Sequence, residues 1–162
     1  MIVLVMGTTG SGKTTVGTLL AHRLRWEFSD ADEFHSAANI EKMKHGIPLT
    51  DEDRAPWLEA IHSQMLTWNS QGQNAVMGCS ALKQSYRDHL MTGTNAIILV
   101  YLRGSYDLFL QRLHRRTGHF ADERLLSSQF ATLEEPSDGI TIDATQSPQE
   151  MVDEICTRLG IH

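Results

Sequence analysis

Gly7-Thr8-Thr9-Gly10-Ser11-Gly12-Lys13-Thr14 decides the fold of this chain, because it fits the phosphate-binding loop pattern G-x-x-x-x-G-K-S/T at every fixed position. The apolar run MIVLVM at 1–6 precedes it and predicts a parallel strand that is buried on both faces. Apolar residues at helical spacing follow it as far as Leu24, so the loop is expected to join a strand to a helix. In that context the glycines let backbone amides turn towards an anion at a helix N-terminus. The alternative is a Gly- and Ser-rich turn that matches the pattern by chance.

The loop predicts a bound nucleoside triphosphate together with Mg²⁺. Lys13 is expected to reach the β- and γ-phosphates, and the Thr14 hydroxyl is the predicted metal ligand. The residues expected to contact the nucleotide are Gly7, Thr8, Thr9, Gly10, Ser11, Gly12, Lys13, Thr14, Thr15, Arg112 and Arg116.

The bulk composition is that of a globular protein with an acidic surface. A length of 162 residues predicts one domain spanning 1–162, and contents of 41% hydrophobic and 21% charged residues exclude disordered and fibrous classes. The net charge of -6 argues against nucleic acid as the main partner. The two cysteines, Cys79 and Cys156, lack metal-binding spacing and are interpreted as buried thiols in a reducing compartment.

The expected location is the cytoplasm, without a membrane partner. The sequence begins with a strand that leads directly into the phosphate loop, which leaves no room for a signal peptide. No apolar run approaches the length of a membrane span.

Strand and helix patterns alternate along the chain and predict an α/β fold with a parallel sheet covered on both faces. The predicted strands are 1–6, 26–29, 75–77, 96–102 and 140–143. The predicted helices after the first are about 36–44, 50–69, 82–90, 105–116 and 124–133, with one more at the C-terminus. Thr50 and Asp53 form an approximate capping arrangement where the 50–69 helix starts.

The first candidate for acceptor chemistry is Asp30-Ala31-Asp32 with His35, at the carboxyl end of the second strand, where ligands bind in open α/β sheets. A kinase that acts on a hydroxyl needs a group to orient the nucleophile and take its proton, and Asp32 suits that role or a place beside the metal. The alternative is that these are solvated turn residues. The third strand does not end in an aspartate, so Mg²⁺ is expected to depend on Thr14, water and Asp32.

A second group of candidates is cationic. Ser80, Lys83 and Arg87 are three and four residues apart, so a helix that starts near Ser80 would present them on one side as a cradle for an anionic, polyhydroxylated substrate. Arg54 is also a candidate substrate contact, whereas the charged residues around it are expected to form exposed helix faces. Surface salt bridging is the alternative for the whole group.

A third group, Arg112, Arg115, Arg116 and His119, precedes or enters a Gly-containing loop. This concentration of charge in an acidic protein suggests a lid at about 117–124 that closes over phosphates and stabilises transition-state charge. Arg116 is the predicted catalytic arginine, and His119 is a predicted substrate contact. The alternative is a basic helix C-terminus stabilised by the dipole.

The order and spacing of these blocks resemble the gluconokinases, small sugar-acid kinases related to the nucleoside-monophosphate kinases. The resemblance covers nearly the whole chain and is carried by the phosphate loop, 30–35 with Asn39, 42–43, 46–49, 51–58, 79–83, 86–88, 118–120, 125–126, 128–130 and 133–134. The chain has Ala31 where the family commonly has Gly and Ser36 where it has Pro, and Gln84 and Met91 where it often has basic residues.

The resemblance implies phosphoryl transfer from ATP to the 6-hydroxyl of D-gluconate. It also implies a three-layer fold with sheet order 2-3-1-4-5, a mobile substrate-side helical region at about 36–70, a lid, and usually a homodimer. The predicted catalytic residues are Lys13, Asp32 and Arg116, and the predicted substrate contacts are Asp32, His35, Arg54, Ser80, Lys83, Arg87 and His119. Two rivals remain open: a kinase for shikimate or another small hydroxy acid, and a nucleotide-dependent switch with no small-molecule acceptor.

Overall fold

A computed structural model describes residues 1–116 and 120–162, with the backbone alone at 120–122. The strands in these residues are β1 (Ile2–Met6), β2 (Glu27–Asp30), β3 (Ala75–Gly78), β4 (Ile97–Arg103) and β5 (Ile140–Asp143). The helices are α1 (Lys13–Leu24), α2 (Ala37–Lys44), α3 (Asp51–Ser70), α4 (Gln84–Leu90), α5 (Tyr106–Arg116), α6 (Phe120–Thr132) and α7 (Pro148–Leu159). A one-turn 3-10 helix, Ala31–Phe34, follows β2.

The strands form one parallel sheet in the order β2-β3-β1-β4-β5, which confirms the expected topology. β1 is central, and all of its residues are buried between β3 and β4. The carboxyl ends of β1, β2 and β3 therefore lie side by side, and the loops that follow them share one edge of the sheet.

Alternate residues of β1 face two different cores, which makes the fold three-layered. Ile2, Leu4 and Met6 belong to a core that α3 and α4 cover. Val3 and Val5 belong to the opposite core, to which α1, α5 and α7 contribute. This alternation is the period of two expected of a strand with helices on both faces.

Two helix starts between β2 and β3 are set by side-chain caps. The Thr50 hydroxyl accepts a hydrogen bond from the Asp53 amide while the Asp53 carboxylate accepts one from the Thr50 amide, so the predicted capping arrangement is a full capping box. The Ser36 hydroxyl accepts from the Asn39 amide and caps α2, so this departure from the family pattern supplies a helix start.

Three boundaries differ from the sequence prediction. β2 extends to Asp30, which places that carboxylate at the last position of the strand. α4 begins at Gln84 instead of near residue 80 or 82, because Ala81 adopts the left-handed conformation with φ 46°. α6 begins at Phe120 and so takes in 120–124 of the predicted lid, whereas 117–119 lie outside the described residues.

Among the described helices, none has the length and hydrophobicity needed to cross a membrane.

Candidate functional site

A cleft of about 320 Å³ lies where β1, β2 and β3 end. It brings together five residues that the sequence singled out for different tasks: Lys13, Thr14, Asp32, Ser80 and Arg116. The rest of its lining is Thr9, Gly10, Gly12, Thr15, Asp30, Gly78, Cys79, Leu125 and Gln129. The phosphate loop and two of the predicted acceptor groups, Asp32 and Ser80, therefore face one space, whereas His35, Arg54 and Lys83 lie outside its lining.

The phosphate loop has the backbone that its glycines allow. Gly10 and Gly12 have φ of 79° and 98°, and Gly12 is the N-cap of α1. The helix therefore starts at Lys13, and its free amides point into the loop. Lys13 Nζ donates to the Thr8 carbonyl at 3.0 Å.

The charge on Lys13 is set by several neighbours. Burial lowers the pKa of Lys13, and the positive charge of Arg116 acts in the same direction. The negative charges of Asp32 and Asp30 oppose this shift. The phosphate-loop lysine, the aspartate pair and the arginine all line the cleft, and each of the other three charges influences the pKa of Lys13.

The interior of the loop suits a bound anion. A Cβ at Gly7 would lie 2.5 Å from the Ser11 hydroxyl oxygen, so only glycine permits this close turn. Ser11 is fully buried, and its hydroxyl has no hydrogen-bond partner within the described part of the chain. An unpartnered buried hydroxyl and free helix amides are groups that phosphate oxygens would satisfy.

The oxygen atoms of Thr14 and Asp30 form a pair suited to Mg²⁺. Thr14 Oγ1 donates to Asp30 Oδ2 at 3.0 Å, and Asp30 Oδ1 accepts from the Asp32 amide at 2.9 Å. Hydroxyl and carboxylate oxygens are the hard ligands that Mg²⁺ prefers. The sequence singled out Asp30 together with Asp32 and proposed Asp32 for the place beside the metal, and the contact with Thr14 makes Asp30 a second candidate for that place.

Asp32 projects from the 3-10 turn into the cleft and carries an unusual proton affinity. Loss of water raises the pKa of the Asp32 carboxyl, and the charge of Asp30 raises it further, while Lys13 and His35 oppose the shift. A carboxylate whose pKa is raised accepts a proton more readily than an ordinary aspartate.

His35 is held as a neutral ring beside Asp32. Its ring stacks on Trp57 with centroids 4.3 Å apart and an interplanar angle of 7°. Asn39 Nδ2 lies 3.3 Å from His35 Nδ1, so the ring nitrogen accepts and the hydrogen resides on Nε2. Burial lowers the pKa of His35, Asp32 opposes that shift, and Arg54 adds to it.

Buried hydrogen bonds fix this segment against α3. Trp57 Nε1 donates to the Ala31 carbonyl at 2.7 Å, and Asn39 Nδ2 donates to the Asp53 carbonyl at 2.9 Å. Trp57, Ala31 and Asn39 are all buried. Sequence reasoning did not assign Trp57 or Asn39 a task, since their partners are 26 and 14 residues away.

Two of the predicted substrate cations, Arg54 and Lys83, meet around Tyr86. The Arg54 guanidinium carbon lies 5.8 Å from the centre of the Tyr86 ring, and Lys83 Nζ lies 5.4 Å from it. Asp51 Oδ1 accepts from the Tyr86 hydroxyl at 2.6 Å and from Lys83 at 3.3 Å. This Tyr86 cluster (Asp51, Arg54, Lys83 and Tyr86) joins the first turns of α3 and α4.

The structure corrects the expected role of Arg87. Its guanidinium is 1% exposed and donates to the carbonyls of Ala81, Leu82 and Glu134. It lines a separate recess of about 220 Å³, away from the phosphate loop. Arg87 therefore holds the β3–α4 connection in place, and the idea that Ser80, Lys83 and Arg87 share one helix face is wrong.

The two predicted phosphate-binding arginines of α5 separate in the structure. Arg116 lines the cleft, whereas Arg112 donates to the Ala144 carbonyl and lies 5.9 Å from the centre of the Phe109 ring, outside the cleft lining. His119 lies outside the described residues, so its predicted substrate contact stays a prediction.

Gln129, from α6, is a cleft residue that the sequence did not identify as functional. Its Oε1 accepts a hydrogen bond from the Thr9 amide at 2.5 Å, across 120 positions of sequence. A local sequence pattern cannot predict a contact between residues so far apart in the chain. It fixes α6 directly against the phosphate loop.

Both cysteines are buried and free, as expected. Burial raises the pKa of Cys79 to about 12, so this cleft residue is a neutral thiol. It is not a nucleophile at neutral pH, because the thiolate is the reactive form.

Known proteins match the chain over most of its length. The shikimate kinase family model matches residues 9–160. A probable gluconokinase of Mus musculus is 46% identical over 153 residues, which cover 84% of this chain and 83% of that protein. A gluconokinase of Gluconobacter oxydans is 45% identical over 156 residues, covering 94% and 88%. The crystal structure of a gluconokinase from Sinorhizobium meliloti has a TM-score of 0.88 at 40% identity and covers 98% of this chain and 90% of that one.

Proposed function

The chain belongs to the gluconokinases, within the wider shikimate kinase family, and from this premise we propose an ATP-dependent enzyme that phosphorylates D-gluconate. The reaction transfers the γ-phosphoryl group to the 6-hydroxyl and yields 6-phospho-D-gluconate and ADP. The observation that carries the proposal is the single cleft in which Lys13 of the phosphate loop faces Asp32.

The donor half of the site is the phosphate loop. Its amides and Lys13 bind the ATP phosphates, and Arg116 adds positive charge at the same point. Thr14 and Asp30 would hold Mg²⁺ directly or through water, with their oxygens 3.0 Å apart. When bound, the ion neutralises charge on the phosphates.

The acceptor half is built around Asp32. Its carboxylate accepts the hydrogen of the 6-hydroxyl, O6 forms a bond to the γ-phosphorus, and the bond from that phosphorus to the leaving ADP oxygen breaks. The neutral His35 ring presents an N–H to a substrate oxygen. The Trp57 stack and the Asn39 hydrogen bond hold that ring in orientation.

We assign recognition of the gluconate carboxylate to the Tyr86 cluster. Arg54 and Lys83 supply two positive charges, and Asp51 orients Lys83 directly and Arg54 through the Tyr86 hydroxyl. Ser80, in the cleft, offers a hydroxyl to the polyol chain. A carboxylate between the two cations would gain charge-assisted hydrogen bonds.

We further propose a single domain in which 36–70 forms the substrate side, a lid at about 117–124 that brings His119 to the substrate, a homodimer, and a cytoplasmic location. The family resemblance supports these assignments.

A sugar-acid panel tests the function. ADP release is followed by a coupled assay on gluconate, idonate, shikimate, sorbitol and nucleoside monophosphates, and phosphorus NMR identifies the phosphorylated position. We expect the highest kcat/KM on gluconate and a phosphomonoester on its 6-oxygen. Shikimate belongs in the panel because of the family model that matches, and turnover that favours it over gluconate would refute the proposal.

Sorbitol, which lacks the carboxylate, tests the Tyr86 cluster. Arg54→Ala and Lys83→Ala should raise KM for gluconate and reduce its advantage over sorbitol, with KM for ATP unchanged. Lys44→Ala removes an exposed lysine from the end of α2 and is the matched control. Unchanged gluconate selectivity in both cluster variants would mean that the carboxylate is bound elsewhere.

A further inference from the structure

A cluster of metal-binding side chains lies outside the cleft, where α3 packs against α4. Glu59 and His62 are one turn apart on α3, and His89 projects from α4. One ligand atom from each residue lies within 4.8 Å of the other two. We propose that this zinc cluster (Glu59, His62 and His89) binds a Zn²⁺ ion that links α3 to α4, independently of the kinase reaction.

The pair from opposite helices is already close to metal-binding geometry. His89 Nε2 lies 2.9 Å from Glu59 Oε2. Ligand bonds of about 2.0–2.1 Å around a tetrahedral zinc place neighbouring ligand atoms about 3.3 Å apart. Both side chains are exposed, so a small rotation opens the space for the ion. On binding, the hydrogen on His89 Nε2 moves to Nδ1 or, from a doubly protonated ring, is released to water, and one bond from each residue to the metal replaces the hydrogen bond.

His62 makes a backbone hydrogen bond of the kind that metal-binding histidines commonly make. Its Nε2 lies 2.7 Å from the Thr92 carbonyl, which only accepts, so Nε2 carries the hydrogen. Nδ1 then keeps its lone pair for a ligand. Histidines that bind metals usually donate their other ring N–H to a carbonyl or carboxylate, which fixes the tautomer and strengthens the metal bond.

The ligand set selects the class of ion. Two imidazole nitrogens and one carboxylate oxygen suit zinc and its neighbours in the transition series, with water as the fourth ligand. Mg²⁺ and Ca²⁺ prefer oxygen ligands throughout, so this site and the Thr14–Asp30 pair differ in the ions that they favour.

The position of the site predicts what binding does. The metal joins the middle of α3 to the end of α4, and the Tyr86 cluster joins the starts of the same two helices. Zinc should therefore stiffen the support of the acceptor side. Because the ion binds the folded arrangement, it should also raise the melting temperature.

Calorimetric titration of tag-free protein with Zn²⁺ tests the proposal. We expect one ion per chain and a rise in Tm of roughly 5 to 10 °C at a hundredfold excess over Kd. Co²⁺ in its place should give the strong visible absorption of a four-coordinate site. His62→Ala, His89→Ala and Glu59→Gln should each lose at least tenfold in affinity. His22→Ala, which removes an exposed imidazole from α1, should bind as the wild type does.

Two results would overturn the proposal: zinc affinity that is unchanged in the cluster variants, or binding that survives in them and is displaced by Mg²⁺ and ATP, which assigns the ion to the cleft. None of the three residues lines the cleft, so kinase turnover and circular dichroism report whether each variant is folded. Glu59→Gln keeps the shape of an exposed side chain, so it tests the proposal even if the alanine variants misfold.

Discussion

Trp57→Phe should separate the support of the acceptor side from the rest of the core. The substitution removes the donor to the Ala31 carbonyl, a 2.7 Å hydrogen bond in which both residues are buried. A buried carbonyl left without a partner costs about 1–3 kcal/mol. Ala31 directly precedes Asp32, and the Trp57 ring stacks on His35. Loss of the hydrogen bond should therefore disturb the residues that we propose to orient the substrate 6-hydroxyl.

Trp68→Phe is the matched control. Trp68 lies in the same helix and the same core, 2% exposed, and makes no side-chain hydrogen bond within the described residues. Both variants lose the same ring volume, so their difference isolates the hydrogen bond and the link to the site. At roughly 2–4 °C per kcal/mol, Trp57→Phe should melt about 2–12 °C below Trp68→Phe.

Turnover gives the second measurement on the same pair. We expect kcat on gluconate to fall about tenfold or more in Trp57→Phe, with KM for ATP near the wild-type value, because the phosphate loop is not touched. Trp68→Phe should keep the wild-type kcat. Equal melting temperatures and equal kcat in the two variants would refute the reasoning that Trp57 positions the acceptor segment.

Four further variants test the cleft. Lys13→Ala should lower kcat by about 10²-fold or more, by analogy with the loss of one fixed electrostatic donor, and the wild-type rate would contradict the assigned mechanism. Asp32→Asn should lower kcat by about 10²- to 10⁴-fold if the carboxylate accepts the proton. The pKa of Asp32 is raised in the folded protein, so ionising this carboxyl destabilises the folded state. Asp32→Asn should therefore raise Tm at neutral pH, where the carboxyl is ionised, but not in acid. A lower Tm of the variant at neutral pH would contradict the raised pKa. Asp30→Asn should move the acid limb of kcat to lower pH, because it removes a charge that raises the pKa of Asp32, and a limb at the same pH would show that Asp30 does not act on Asp32. Gln129→Glu keeps the acceptor for the Thr9 amide but adds negative charge beside the phosphates, so KM for ATP should rise about tenfold, and an unchanged KM would place ATP away from α6.

The sequence predicted those features whose signals are local. The phosphate loop, the central strand, the capping box at Thr50 and the strand-helix alternation each depend on residues within a few positions of one another. The family resemblance added the strand order, which the structure confirms.

The prediction of the helix start near Ser80 was wrong because the helical spacing is interrupted at a residue that is not a typical helix breaker. The spacing of Ser80, Lys83 and Arg87 is helical, but Ala81 adopts a left-handed conformation. No Gly or Pro at this position marks the break in the sequence. The helix then starts after Lys83, and Arg87 turns inward to three backbone carbonyls. The sequence could not reveal this, because those carbonyls become available only when the chain is folded.

Residues that act through distant partners were missed for the same reason. Gln129 reaches the phosphate loop only when α6 lies beside α5, and Trp57 reaches Ala31 only when α3 covers the sheet. Such contacts have no fixed spacing for a motif to record. The contact between Asp30 and Thr14 spans 16 residues and is of the same kind.

The two aspartates of the cleft differ in role because their surroundings differ. Both oxygens of Asp30 are occupied, one by the Thr14 hydroxyl and the other by the Asp32 amide, so this carboxylate is fixed in place as an acceptor and suits a metal. Asp32 has no such donors to its carboxylate among the described residues, and the charge of Asp30 and the loss of water both favour its protonated form. In the proposed mechanism Asp30 would therefore offer an oxygen to the metal, and its charge raises the pKa of Asp32, the proposed base. Exchanging the two proposed roles would require Asp30 to give up the Thr14 hydroxyl, so we expect the two carboxylates not to substitute for each other.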